Sequence, residues 1–125
     1  MNKNELEERL IDFSVLIIGI TDEMPDKKAA NHLSGQLIRS GSSPALNYGE
    51  AIGAESIRDF LHKIKIVLKE LRETLTCLKI ISRANLYSNT EKMDQALKEN
   101  NELISIFVSS TKTAQRRLDG LRKRD

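Results

Sequence analysis

A chain of 125 residues, 39% hydrophobic and 30% charged with only six Gly and two Pro, has room for one continuous core and no second domain, and its composition excludes a disordered segment. The formal charge of +2 hides an asymmetry: residues 1–26 hold seven acids against two bases, and residues 27–125 hold eighteen bases against eleven acids. The longest apolar run, Val15 to Ile20, is far short of the roughly 20 residues that span a bilayer, and the acidic start (Glu5, Glu7, Glu8) is not laid out as a signal peptide, so the expected location is cytoplasmic with no membrane partner.

Leu6, Leu10, Phe13, Ile17, Ile20 and Met24 step alternately by four and three, which aligns them on one helical face and predicts a first helix over about 4–22. Pro25 stops it, and Asp26 is placed to cap a second helix over about 27–51. Ala30, Leu33 and Leu37 give that helix its apolar stripe until Gly41, a run of serines and Pro44 weaken it, so a kink is expected near residues 40–44. There the Ser40 and Ser43 hydroxyls are expected to bond carbonyls left without a partner.

Ser56 with Asp59 forms a capping box for a third helix over about 56–84. Its seam is Ile57, Leu61, Ile64, Leu68, Leu71, Leu75 and Leu78, widened by Phe60, Val67 and Ile81. Ser88 with Glu91 signals a fourth helix over about 89–122 that buries Met93, Leu97, Ile104, Phe107, Ala114, Leu118 and Leu121, with polar Asn100 and Thr111 interrupting. Heptad steps over long helices joined by short connections predict an all-α, antiparallel, up-and-down four-helix bundle forming a single domain over 1–125.

Chemistry finds little support in the residues. A di-metal bundle needs a Glu-x-x-His-like pair on each of two helices; Asp59 and His62 supply one, but Ala29 stands three residues before the other histidine, His32. Glu70 and Glu73 read as a solvated or salt-bridged face beside Lys69 and Arg72 rather than as an acid–base pair, and the single cysteine, Cys77, reads as core. No Gly-rich phosphate loop or nucleophile elbow occurs; no catalytic residue, metal or cofactor is expected. What remains is charge: Lys112, Arg116, Arg117, Arg122, Lys123 and Arg124 crowd the C-terminus and offer phosphate contacts. Only Tyr48 and Tyr87 are left over as base-stacking surfaces once the phenylalanines are assigned to core stripes.

Gln36 and Leu37, Arg39-Ser40-Gly41, Ser43, Asn47, Glu50-Ala51, Ser56, the stretch Asp59 to Lys63, Lys69-Glu70 and Glu73-Thr74 together resemble the bacterial four helix bundle protein family, also known as the S23 ribosomal protein or 23S rRNA intervening-sequence family. The resemblance runs from Lys27 through the closing helix and, more loosely, over the first helix. Pro44 falls one position before the proline many members carry, and Gly49 stands where close relatives often have Arg. The resemblance implies a small four-helix bundle. It also implies a homo-oligomer, a pentamer by analogy with the accessory protein of diversity-generating retroelements, whose five-fold barrel contacts nucleic acid and a reverse transcriptase. Other members are encoded inside 23S rRNA genes, so ribosomal or other structured RNA is the implied partner.

The leading expectation is a non-catalytic homo-oligomer that binds structured RNA through the six C-terminal cations, with Arg39 and Lys63 as further candidates. Ser43, Asn47, Glu50, Asp59, His62, Glu70 and Glu73 are assigned structural roles, the first three at the kink. The alternative is a protein–protein adaptor or structural oligomer, such as a partner of a reverse transcriptase, anchored by Ile66, Ile80 and Ile106.

Overall fold

The computed structural model describes residues 1–124, with side chains through Lys123. Four helices follow in order: α1 (Lys3–Asp22), α2 (Lys28–Ile52), α3 (Ile57–Arg83) and α4 (Thr90–Arg124). Each packs on its neighbour in sequence, and α4 closes back on α1, where the contact is sparsest. This is the antiparallel four-helix bundle the heptad steps predict.

The ends are set by side chains. Asn2 accepts from the Glu5 amide at 2.9 Å, and Ser56 accepts from the Asp59 amide at 3.1 Å, each satisfying a first-turn N–H that has no partner inside the helix. Two expected caps differ. Asn89, one residue past Ser88, caps α4 by accepting from the Lys92 amide at 3.0 Å. Asp26 does not cap α2; it accepts instead from the Asn31 side chain at 2.9 Å, and Lys27 takes the cap position without a side-chain bond. After α3, Asn85 adopts φ 56°, the left-handed conformation in which Asn is the usual substitute for Gly. The Leu86 amide then donates to Ile81 O and the Asn85 amide to Ser82 O, a Schellman stop.

The core is one cluster fed by all four helices. Leu10, Phe13, Ile17 and Ile20 meet Leu37, Ile64, Val67, Leu71, Leu78, Ile81, Leu103 and Phe107, and Phe107 meets Tyr48 edge-on with ring centroids 5.4 Å apart. In α4 the seam differs from the one predicted. Ala96, Asn100 and Leu103 are fully buried, Leu97 and Ile104 stand at the margin, and Leu121 is exposed. Asn100 sits in the core because its amide, oriented to suit both neighbours, donates to Leu71 O at 2.9 Å and accepts from the Leu75 amide at 3.1 Å, which satisfies a polar group that burial would otherwise penalise.

Pro44 stands inside α2, which continues unbroken to Ile52. The expected hydroxyl repairs are redistributed. Ser42 Oγ donates to Ile38 O at 2.7 Å, Ser14 of α1 donates to Gly41 O at 3.0 Å, and Ser43 Oγ accepts from Asn47. Ser40 Oγ instead lies 3.0 Å from the Thr74 hydroxyl of α3. Gly41 is needed by close approach: a Cβ there would stand 2.7 Å from Cγ2 of buried Ile17, so α1 and α2 touch where only hydrogen fits.

Candidate nucleic-acid interface

The sequence-assigned polar residues gather mainly on the seam between α2 and α3. Arg39 of α2 reaches across to α3, donating to Glu70 Oε2 at 3.1 Å and pairing with Glu73. Glu70 is buried, so the guanidinium meets a carboxylate that could not be left unpaired inside the seam. Arg39 holds the Glu73 carboxyl below the usual carboxylate range, chiefly by its hydrogen bond and against the opposing effect of desolvation. These two glutamates are salt-bridged, as one of the two readings of the sequence had it, with Arg39 of another helix as their ion-pair partner and the charge of Lys69 adding to the effect on Glu73. Lys63 pairs with Glu50 in the same seam, and the Asn47 side chain donates to Ser43 O at 3.0 Å within α2. Of the three residues assigned to the kink, only Glu50 bridges to α3. Arg39, itself exposed, and half-buried Lys63 are thus candidate RNA contacts that already hold carboxylates.

Glu70 and Glu73 turn toward Arg39 of α2, and beyond the exposed Asp59 of its first turn another face of α3 carries a run of basic residues. Arg58, His62, Lys65, Lys69, Arg72, Thr76, Lys79 and Arg83 follow one another by four, three, four, three, four, three and four residues, and all eight are exposed. They form a line about 37 Å long at 1.5 Å per residue. Among the described residues, none of its six Lys and Arg side chains lies within ion-pair distance of a carboxylate. Charge summed by segment hides this stripe; the same alternating step that marks the apolar seam, read one residue further on and so about 100° around the helix, traces it.

The C-terminal cations divide. Antiparallel packing lays the end of α4 beside the start of α3, and there Arg58, His62, Lys65, Gln115 and Arg122 surround a groove of about 420 Å³ floored by Leu61 and Leu118. Asp119 tempers it, accepting from Gln115 at 3.0 Å and standing 4.0 Å from Arg122. Lys112, Arg116 and Lys123 are exposed. Arg117 turns the other way, lining a cavity with Lys3, Glu55, Ile57 and Phe60, and the Arg124 side chain lies outside the described residues. Asp59 is exposed and contributes its amide to the Ser56 cap. The structure thus joins one predicted tail residue, Arg122, to three unpredicted partners.

Neither tyrosine offers its ring to bases. Tyr48 and Tyr87 are only 4% and 8% exposed. The Tyr87 hydroxyl donates to Glu23, and its pKa is pushed up to about 12 by burial first and by Glu23 second. Among the described residues no group of three or more His, Cys, Asp or Glu is gathered as a metal site, and no helix is long and apolar enough to cross a membrane.

A fourth surface has the opposite character. Ile11, Val15 and Ile18 of α1, with Ile38 and Leu46 of α2, are between 41% and 70% exposed. The Ser14–Gly41 bond ties the two antiparallel helices together at mid-length. The result is an apolar outer wall on α1 and α2. The anchors expected from sequence fare differently: Ile80 is exposed, but Ile66 is half-buried and Ile106 packs against the core.

Comparison with known proteins agrees with this architecture. A protein of unknown function from the S23 ribosomal protein family of Bacteroides thetaiotaomicron, known from its crystal structure, superposes with a TM-score of 0.80 at 28% identity, over 90% of this chain and 99% of that one. No curated protein matches. The family model described as 23S rRNA-intervening sequence protein matches residues 2–109. That match covers α1, α2 and α3 and the first part of α4, and the chain belongs to the 23S rRNA-intervening sequence protein family.

Proposed function

We propose that this chain is a non-catalytic RNA-binding bundle, with structured ribosomal RNA as its ligand and the outward face of α3 as its main contact surface. The observation that carries the reading is the stripe from Arg58 to Arg83, whose exposed Lys and Arg side chains form no ion pair among the described residues. Phosphate contacts of this kind position an RNA without reading its sequence, which suits a helix face with no aromatic ring and few hydrogen-bonding amides. Lys112, Arg116, Arg122 and Lys123 extend the surface along α4. The family description, with its link to 23S rRNA, points to the same ligand. Purified free of nuclease-sensitive contaminants and titrated into labelled 23S rRNA fragments, the protein is expected to bind tightly at about 50 mM salt. That affinity should fall about a thousandfold by 200 mM, as for six or more phosphate contacts. No binding at the lower salt contradicts the reading.

The apolar wall on α1 and α2 favours a second property, self-association, in line with the pentamer that the resemblance implies. Exposed apolar surface of this extent marks interaction sites more often than it marks a free surface. Analytical ultracentrifugation is expected to show an oligomer that Val15→Glu dissociates into folded monomers. A wild-type chain that stays monomeric at high concentration contradicts self-association and favours a foreign protein partner on that wall.

A further inference from the structure

The shape and chemistry of the α3 face go further than RNA in general and discriminate between its forms. The face is a convex ridge, the outer surface of a 27-residue helix, with cations recurring each heptad about 10 Å apart. Proteins that hold single strands use aromatic platforms, each stacked base contributing about 1–3 kcal/mol, because a flexible strand must be ordered as it binds. Here the ridge itself carries no Phe or Tyr ring. Phe13, Phe107, Tyr48 and Tyr87 are buried, and Phe60 packs against the core under Lys3, whose ammonium lies 5.6 Å from the ring centre. A double helix, by contrast, presents phosphates already fixed in line. Its wide, shallow minor groove is open to a ridge, whereas the deep, narrow major groove of A-form RNA is not.

We infer that the α3 ridge takes double-helical RNA rather than single strands, gripping the phosphates that flank the minor groove and leaving the bases unread. The basic groove lined by Arg58, His62, Lys65 and Arg122 stands at one end of the ridge and adds a concave phosphate contact there. This inference rests on the RNA reading above and narrows it to one form of the ligand.

The test compares a labelled RNA duplex of about 20 base pairs, a little more than one double-strand-binding domain covers, with a uridine strand of equal length. Fluorescence anisotropy is read at about 100 mM salt. The wild-type protein is set beside the variant Lys65→Gln/Lys69→Gln/Arg72→Gln/Lys79→Gln, whose substitutions are all exposed and whose helicity is verified by circular dichroism. The duplex is expected to bind at least about tenfold tighter than the strand, and the variant to lose most of the duplex affinity. A strand that binds as well as the duplex overturns the inference while leaving RNA binding intact. A duplex preference that survives in the variant overturns the assignment to α3. Failure of both ligands to bind overturns the RNA reading itself.

Discussion

Single side chains in this bundle fall into those whose surroundings satisfy them and, among the described residues, one buried hydroxyl that is left over. Asn100 and Thr111 interrupt the α4 stripe in the sequence, and the structure separates them: Asn100 is bonded into the α3 backbone, whereas the Thr111 hydroxyl is buried without a partner. Thr111→Val, which keeps the shape and removes the orphaned oxygen, is expected to raise stability by about 1 kcal/mol in urea melts. A loss of stability would mean that the hydroxyl is bonded. Arg39 makes the opposite case. Its removal strips the cation from buried Glu70 and exposed Glu73, and Arg39→Ala is expected to cost about 1 kcal/mol at neutral pH, the discounted value of a largely exposed pair. The Glu73 pKa is lowered in the folded state, so its contribution is complete above the ordinary value of about 4.3 and disappears as pH falls through the lower folded value. The deficit of Arg39→Ala should therefore shrink by about pH 3, and an equal deficit at both pH values would contradict the assignment. The sequence shows that Arg39, Glu70 and Glu73 are polar, but not that they meet, because their pairing depends on the register of α2 against α3.

At the scale of helices, repeat spacing made most of the fold legible. Leu10, Phe13, Ile17 and Ile20 are buried as the alternating step requires, and the helix limits lie within a residue or two of those expected. The α4 seam was less legible, since small Ala96 and polar Asn100 do not look like core by composition and owe their burial to what lies opposite. Close approach of helices is equally invisible in one dimension, and α2 offers a paired test of it. Gly35 and Gly41 are both helical, but a Cβ at Gly35 meets nothing within 4 Å while one at Gly41 strikes Ile17. Gly35→Ala is expected to stabilise by up to about 1 kcal/mol through helix propensity, and Gly41→Ala to destabilise by about 1–3 kcal/mol through overpacking. Thermal melts giving both substitutions the same sign would contradict the packing of α1 on α2. The α3 stripe was present in the sequence all along, written in the same heptads as the core; it emerged only once the buried face fixed which residues point outward.

The whole molecule keeps its surfaces apart. An uncharged wall lies on α1 and α2, a polar seam bonds α2 to α3, and a cationic ridge on α3 runs into the basic end of α4. A bundle with this division can associate through one wall while another remains open to a polyanion. The charge asymmetry of the sequence points to a basic tail, and the structure adds a second run of exposed cations on α3, whose Glu70 and Glu73 are taken up by Arg39. The most direct test of RNA binding through that ridge is the salt dependence of affinity for one 23S rRNA fragment, measured for the wild-type chain and for the Lys65→Gln/Lys69→Gln/Arg72→Gln/Lys79→Gln variant. The slope of log affinity against log salt is expected to fall by about two to four in the variant, close to one for each phosphate contact removed. An unchanged slope in a folded variant would contradict the central claim and return the search for the RNA contact to α4 and its basic end.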